Sequence, residues 1–279
     1  MNLFIHGIDG DIRLGNSYTG DQHAGLKADY IIANPPFNDG AKSREGWGAD
    51  KVPDKDPRLT LGSRKLPLSP RNANTMWMLH FLYHLKDTGT AGFVMATGEL
   101  SNGETARLEV RKALIDADVV DCIVQLPKQL FANTGIACTL WFLSKNRNGG
   151  TGGYRKRTEE VLFIQARKLG ALIPGSRKQK QFLDEEIERI ASVYRQFKRQ
   201  ADPETWEGFC AVAKVEEIRA RRYALAPGRY VGTLETEDKE APIEERLPAL
   251  LGEIRELMNK TRANDEVLSR FVNGGLELE

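Results

Sequence analysis

The sequence predicts an α/β protein: an open sheet with helices on both faces, followed by a helical C-terminal region. Three observations predict it. Short apolar runs alternate with segments of helical periodicity between residues 29 and 144, the order that builds sheets by strand–helix–strand crossovers. The first of those runs passes directly into Asn34-Pro35-Pro36-Phe37, a stiff loop at the carboxyl end of a strand, where open α/β sheets place their ligands. After Asn146 the texture changes to a glycine-rich, basic connector, and the periodicity beyond it is mainly helical. Residues 1–170 are therefore expected to form the sheet domain and residues 171–279 the helical region.

Residues 29–34 (DYIIAN) read as a buried parallel strand, because the run is continuously apolar and ends on a polar residue. Residues 38–75, rich in Gly, Pro, Lys, Arg and Asp, read as a long loop, and loops of that length are functional or disordered. Residues 74–86 are apolar at helical spacing, with Asn74 as the cap and Gly89 as the stop. A buried strand follows at 91–96 and a helix at 104–117, with Leu108, Ala113 and Leu114 inward. Further strands are expected at 119–126 and 135–144, and an edge strand at 161–166. Residues 184–200 form an amphipathic helix with Ile187, Ile190, Val193, Tyr194 and Phe197 on one face. Residues 243–258 form another, and residues 265–271 a short final helix.

The chain of 279 residues can bury one sizeable core plus an appendage. No apolar run approaches a membrane span, and the first residues do not read as a signal peptide. Cys122, Cys138 and Cys210 lie far apart with no CxxC pair, which suits buried, reduced thiols and the cytoplasm. Net charge is +1, modest for a protein that grips nucleic acid unaided, since phosphate contacts dominate that affinity. The charge is uneven: Lys145, Arg147, Arg155, Lys156, Arg157, Arg167, Lys168, Arg177, Lys178 and Lys180 make a basic region. Glu235, Glu237, Asp238, Glu240, Glu244 and Glu245 make an acidic one. Solvated faces and a phosphate track both account for the basic region.

The loop Asn34-Pro35-Pro36-Phe37 suits methylation of a planar exocyclic amino group. The lone pair of adenine N6 is delocalised into the ring, so the nitrogen is a poor nucleophile. Two acceptors aimed at its hydrogens favour a pyramidal nitrogen and stabilise the charge that develops on attack. Asn34 offers a side-chain carbonyl, Pro35 a backbone carbonyl, and Pro36 stiffens the loop. Phe37 offers a stacking surface for a base flipped out of the duplex. A plain turn after a strand accounts for the same four residues.

Longer stretches carry a resemblance. DYIIANPPFN, NANTMWMLHFLYHLKDTGTAGFVMATGELSNG, LPKQLFANTGIACTLWFLSK and the run from Val215 to Val231 resemble the modification subunit of type I restriction–modification systems, in the N-6 adenine DNA methylase family. The resemblance implies a Rossmann-like, S-adenosylmethionine-dependent methyltransferase sheet, partial in this chain. It implies Asn34, Pro35 and Phe37 as catalytic and base-stacking positions with Pro36 as scaffold, and DNA, a specificity subunit and a restriction subunit as partners. Asn16, in Gly15-Asn16-Ser17, stands where relatives often carry an Asp that contacts the donor's adenine; contact with the donor and a simple turn fit it equally. The family's glycine-rich donor loop has no counterpart before Asp29. The expectation is that this chain binds S-adenosylmethionine weakly or not at all alone; a truncated gene product, an expression fragment and one half of a split enzyme, with a separate N-terminal methylase half as a further partner, all fit the missing loop.

Trp47 and the basic residues around it (Lys42, Arg44, Lys51, Lys55, Arg58, Arg64, Lys65) suit either a grip on a flipped strand or an ordinary solvated loop. His80 and His84, four apart on a helix, lack a third ligand in sequence, so no metal is expected. The helix at 243–258 suits docking on a partner or packing on its own domain. Two other readings of the whole remain: a non-catalytic assembly module that binds a specificity subunit, and a methyltransferase acting on RNA guanine N2 or protein glutamine.

Overall fold

A computed structural model describes residues 2–38, 40, 47–131, 135–150, 152–200, 205–232 and 243–273. Contacts divide the chain into two compact units, Met1–Leu234 and Glu235–Glu279. The first unit is built on a six-stranded sheet. Its strands are β1 (Ala28–Ala33), β2 (Leu85–Ala96), β3 (Val120–Gln125), β4 (Cys138–Ser144), β5 (Glu160–Gln165) and β6 (Cys210–Lys214), in spatial order β1-β2-β4-β3-β5-β6. The β1–β2 and β3–β5 pairs are parallel, while β4 runs against both its neighbours and β6 against β5. Four of the six strands therefore point one way, which makes an α/β sheet with two reversed strands.

Besides a four-residue helix at Asn2–Ile5, the described α-helices of this unit are α1 (Asn74–His84), α2 (Thr105–Asp116), α3 (Asp184–Arg199) and α4 (Val215–Ala220). Two apolar layers cover the sheet. One gathers Met76, Leu79 and Leu82 of α1, Val110 and Leu114 of α2, and Phe93, Ile123, Trp141 and Phe163 of the strands. The other joins Cys122, Val124, Leu162 and Ile164 to Val193 and Phe197 of α3. Alternate residues of β3 thus face opposite layers, and all six are buried, as a central strand requires. The three cysteines are buried free thiols.

Several expectations need correction. The helix before β2 stops at His84, not Gly89: Leu85 already has extended dihedrals and pairs with Ala28, so Gly89 lies inside the strand. There a side chain would collide with the Ala28 carbonyl at 2.9 Å. The strand at 160–165 is not an edge, because β6, unforeseen from sequence, pairs along it. Strand β6 lies within the region expected to be mainly helical, and its pairing with β5 ties it into the sheet.

Strand β1 is parallel to β2 but is not buried. Among the described residues it has one strand neighbour, and Tyr30 and Ile32 on one face are 76% and 93% exposed. The apolar run reports a strand with two greasy faces, but only the face carrying Ile31 and Ala33 packs on the core.

Within 47–75 the expected loop is folded. Short helical turns at Ala49–Lys51 and Pro57–Leu59 and a small hairpin pairing Thr60–Leu61 with Arg64–Lys65 bury Val52, Leu59 and Leu66. In the second unit the helices expected at 243–258 and 265–271 are one, α5 (Ile243–Asn273). No Gly or Pro lies between Met258 and Asn273 to stop it. No described helix is long and apolar enough to cross a membrane.

Candidate active site

The loop after β1 emerges at the carboxyl end of a strand whose parallel neighbour, β2, ends beside it: Ala33 pairs with Phe93, three residues before β2 finishes. Asn34 and Pro36 are exposed, Pro35 is buried, and Phe37 is half-buried against the apolar layer of Val94, Leu126 and Cys138. The next residue, Asn38, adopts a left-handed backbone (φ 54°), a conformation that needs outside support in a non-glycine residue.

That support was not foreseen from sequence. Asn74 accepts from the Asn38 N–H at 2.8 Å and donates to the Asn38 side-chain oxygen at 3.1 Å, while Asn72 donates to that oxygen at 2.9 Å. Asn74 also donates to buried Glu99 at 2.7 Å, and Arg107 donates to both Glu99 oxygens. Asn74 is thus not the helix cap that its position suggests. It is the first residue of α1, fully buried, and its own N–H donates to the Asn72 side chain. The one sequence signal was an Asn-x-Asn run opening an apolar helix.

Asn16 lies elsewhere. Its side-chain oxygen accepts from the Tyr18 N–H at 2.9 Å and its carbonyl from Thr19 and Gly20, the contacts of a turn residue. Tyr18 in turn holds a buried aromatic group. Trp47 meets it edge-on at 5.3 Å, and Trp77 donates to its hydroxyl at 3.0 Å. Trp47 is 1% exposed and donates to the Ser69 carbonyl, so it is unavailable for stacking on a nucleic-acid base. Arg58 is buried as well, spent on Asp56, Ser17 and Tyr18. Lys42 and Arg44 lie outside the described residues.

Among the described residues no strand precedes β1, and the Asn16 carboxamide oxygen is committed to its own turn.

His80 and His84 do have a third potential ligand, contrary to the sequence reading. Asp21 joins them, with the ligand atoms all within 4.8 Å of one another. Yet His84 lies 2.9 Å from both Asp21 and the Leu26 carbonyl, and the Arg58 guanidinium stands 3.1 Å from His80 Nδ1. A fixed cation at that distance opposes a second one, so the cluster serves to pin residues 17–27 to α1. Burial, helped by the charges of His84 and Arg58, pulls His80 down to about 4.

Much of the basic region is neutralised internally. Arg147 and Arg157 are buried on Asp121 of β3, which also accepts from the Tyr194 hydroxyl at 2.7 Å, and Arg155 pairs with Glu160. These arginines link β3, the glycine-rich connector and α3, which removes three charges from any phosphate track.

A sheet of this order, opening at a parallel strand end into Asn-Pro-Pro-Phe, defines a methyltransferase-like α/β fold. The model of the N-6 DNA methylase family matches residues 1–239, and the chain belongs to that family. It is 41% identical over 272 residues to the type I restriction enzyme MjaIX methylase subunit of Methanocaldococcus jannaschii, covering 94% of this chain and 46% of that protein. It is 36% identical to the HindI methylase subunit of Haemophilus influenzae, covering 98% and 58%. Among solved structures, the type I restriction–modification methyltransferase subunit from Streptococcus thermophilus superposes with a TM-score of 0.68 at 29% identity, over 84% of this chain and 45% of that one. The chain spans about half the length of the curated relatives it matches.

Proposed function

We propose that this chain supplies the catalytic loop of a type I DNA adenine-N6 methyltransferase. The observation that carries the reading is Asn34 exposed at the carboxyl end of β1, followed by two prolines and a Phe37 held half-open against the sheet. Asn34 and the Pro35 carbonyl accept from the two hydrogens of a flipped adenine amino group, and Phe37 stacks on the base. The amino proton released on methylation leaves through those acceptors to solvent. S-adenosylmethionine is the methyl donor, and the remainder of a full-length methylase, of which this chain spans about half, helps to hold it.

The exposed edge of β1 supports docking of that remainder. An edge strand with Tyr30 and Ile32 turned to solvent is a template for pairing, and soluble proteins rarely leave such an edge bare. We assign it to a complementary methylase half. The exposed stripe of α5, with Leu247, Leu251, Ile254, Leu257 and Met258, suits docking with a specificity subunit, with a restriction subunit completing the complex in the cytoplasm.

The test supplies the complementary half, as the portion of a full-length relative that this chain does not match, together with this chain and adenine-containing DNA. Tritium transfer from labelled donor is the expected result, falling by about 10²–10³ in kcat for Asn34→Ala, the cost of losing one such acceptor. Complex formation without transfer would refute the catalytic reading in favour of an assembly module. Transfer to RNA or protein alone would refute the DNA substrate.

A further inference from the structure

We infer that Glu99 and Asn74 are positioning residues for the Asn34–Phe37 loop, forming a relay that sets the direction of the chain as it leaves Phe37. The inference rests on the catalytic reading of that loop. Asn38 is the first residue after the motif, and its left-handed backbone turns the loop away from the strand axis. An asparagine tolerates this conformation better than most residues but does not hold it unaided. Here two hydrogen bonds from one side chain hold it: the Asn74 carboxamide accepts from the Asn38 N–H and donates to the Asn38 Oδ1.

A carboxamide can present either end. Reversed, Asn74 would set an NH2 group against the Asn38 N–H, donor against donor, and the turn would lose its support. Glu99 decides the orientation. Its carboxylate, paired with Arg107, only accepts, and it takes one hydrogen of Asn74 Nδ2 at 2.7 Å. The second Nδ2 hydrogen is then left for Asn38 Oδ1, and Asn74 Oδ1 must face the loop. Glu99 is 2% exposed, and Arg111 donates to its carbonyl at 3.1 Å, so neither end of it is free to drift.

The relay also crosses strands. Glu99 lies in the turn Thr97–Leu100 directly after β2, and Asn74 opens α1, so the loop after β1 is registered against the end of the neighbouring strand. A salt bridge whose only role was to fill the interior would need Arg107 but not Asn74 or the left-handed turn. The acceptors at Asn34 and Pro35 lie four and three residues upstream of Asn38, close enough that a rotated turn misdirects them.

Amide hydrogen exchange of the full chain, followed residue by residue by NMR, tests the relay without requiring methyl transfer. Asn74→Ala and the double variant Glu99→Leu/Arg107→Met are expected to speed Asn38 exchange about tenfold or more, the effect of one lost hydrogen bond. Amides of β3 and β4 should keep their parental protection. Glu99→Gln still offers Asn74 an oxygen but sets an NH2 group against Arg107, so Asn38 should exchange faster than in the parent and slower than in Asn74→Ala. Unchanged Asn38 exchange in Asn74→Ala overturns the inference, and so does a rise matched by the β3 and β4 amides. If the double variant fails to fold, Asn74→Ala and Glu99→Gln decide. With the complementary half supplied, Asn74→Ala should lower kcat about tenfold or more at unchanged KM for DNA, and a loss confined to KM overturns the positioning role. A complex that never transfers methyl while Asn38 behaves as described refutes the catalytic reading and leaves the relay intact.

Discussion

Replacing Asp121 by Asn tests how the sheet is tied to the segments that follow it. Asp121 is fully buried and holds two arginines: Arg157 through Nε at 3.0 Å and Nη2 at 3.2 Å, and Arg147 through Nη1. Burial pushes its carboxyl upward, but the two guanidinium groups and the Tyr194 hydroxyl outweigh that and leave it below the ordinary carboxylate value. An amide of the same shape removes the charge and leaves two buried cations with only carbonyl acceptors and, for Arg147, the partly exposed Asp118. Breaking a buried ion pair in this way costs about 3–5 kcal/mol, against a total stability of about 5–15 kcal/mol. For a unit of this size that is roughly 6–20 °C in Tm, at about 2–4 °C per kcal/mol. Urea unfolding followed by the fluorescence of buried Trp47 and Trp141 measures it, with a lower midpoint at unchanged slope. The triple variant Asp121→Leu/Arg147→Met/Arg157→Met, which buries no charge, should recover most of the loss. A loss below about 1 kcal/mol for Asp121→Asn, or a triple variant as unstable as the single, would refute the unpaired-charge argument.

Stability should also fall in acid because of His80, whose folded value near 4 lies below the ordinary 6.5. A depressed histidine contributes fully above 6.5, and the contribution is lost as pH drops from 6.5 to about 4, where the unfolded chain binds the proton and the folded one does not. At about 1.4 kcal/mol per pH unit the ceiling is about 3 kcal/mol, reduced by the ring's partial exposure. His80→Gln should flatten the urea midpoint across that window relative to the parent, and parallel profiles would contradict the assignment. At the sheet edge, Ile32→Asp should leave the Tm of the isolated chain within about 1 °C, since an exposed side chain contributes little to folding. The same change should weaken capture of the complementary half at least about tenfold, for burying an unpaired carboxylate; equal affinity in a titration would show that the second polypeptide docks elsewhere.

The sequence made the sheet legible wherever a strand or helix buries a regular face. Residues 119–126 and 184–200 could be read within a residue or two, because continuous burial and a single apolar stripe leave plain patterns. Strand β6 escaped because Cys-Ala-Val-Ala-Lys is short and half-buried, and its place depends on β5, some 45 residues upstream. Burial of the 47–75 segment escaped for a different reason. Trp47, Val52, Leu59 and Leu66 are too widely spaced for either period, and only Tyr18 and α1 bring them together. Charge was misread where it is buried, since a run of arginines looks the same whether its partner is phosphate or a distant Asp121.

At the site, the tetrapeptide could be found but not what holds it. Asparagine at position 38 permits a left-handed turn without fixing one, and Glu99 lies 65 residues beyond Asn34. Two departures from ordinary rules flank the same loop. Before it, β1 leaves Tyr30 and Ile32 in solvent. After it, a non-glycine residue takes a strained turn that a buried carboxylate supports through Asn74. A loop whose only task was to connect strand to helix would need neither. One departure leaves an edge open for pairing and the other sets the angle at which the chain leaves Phe37, and the proposed amino-group site draws on both.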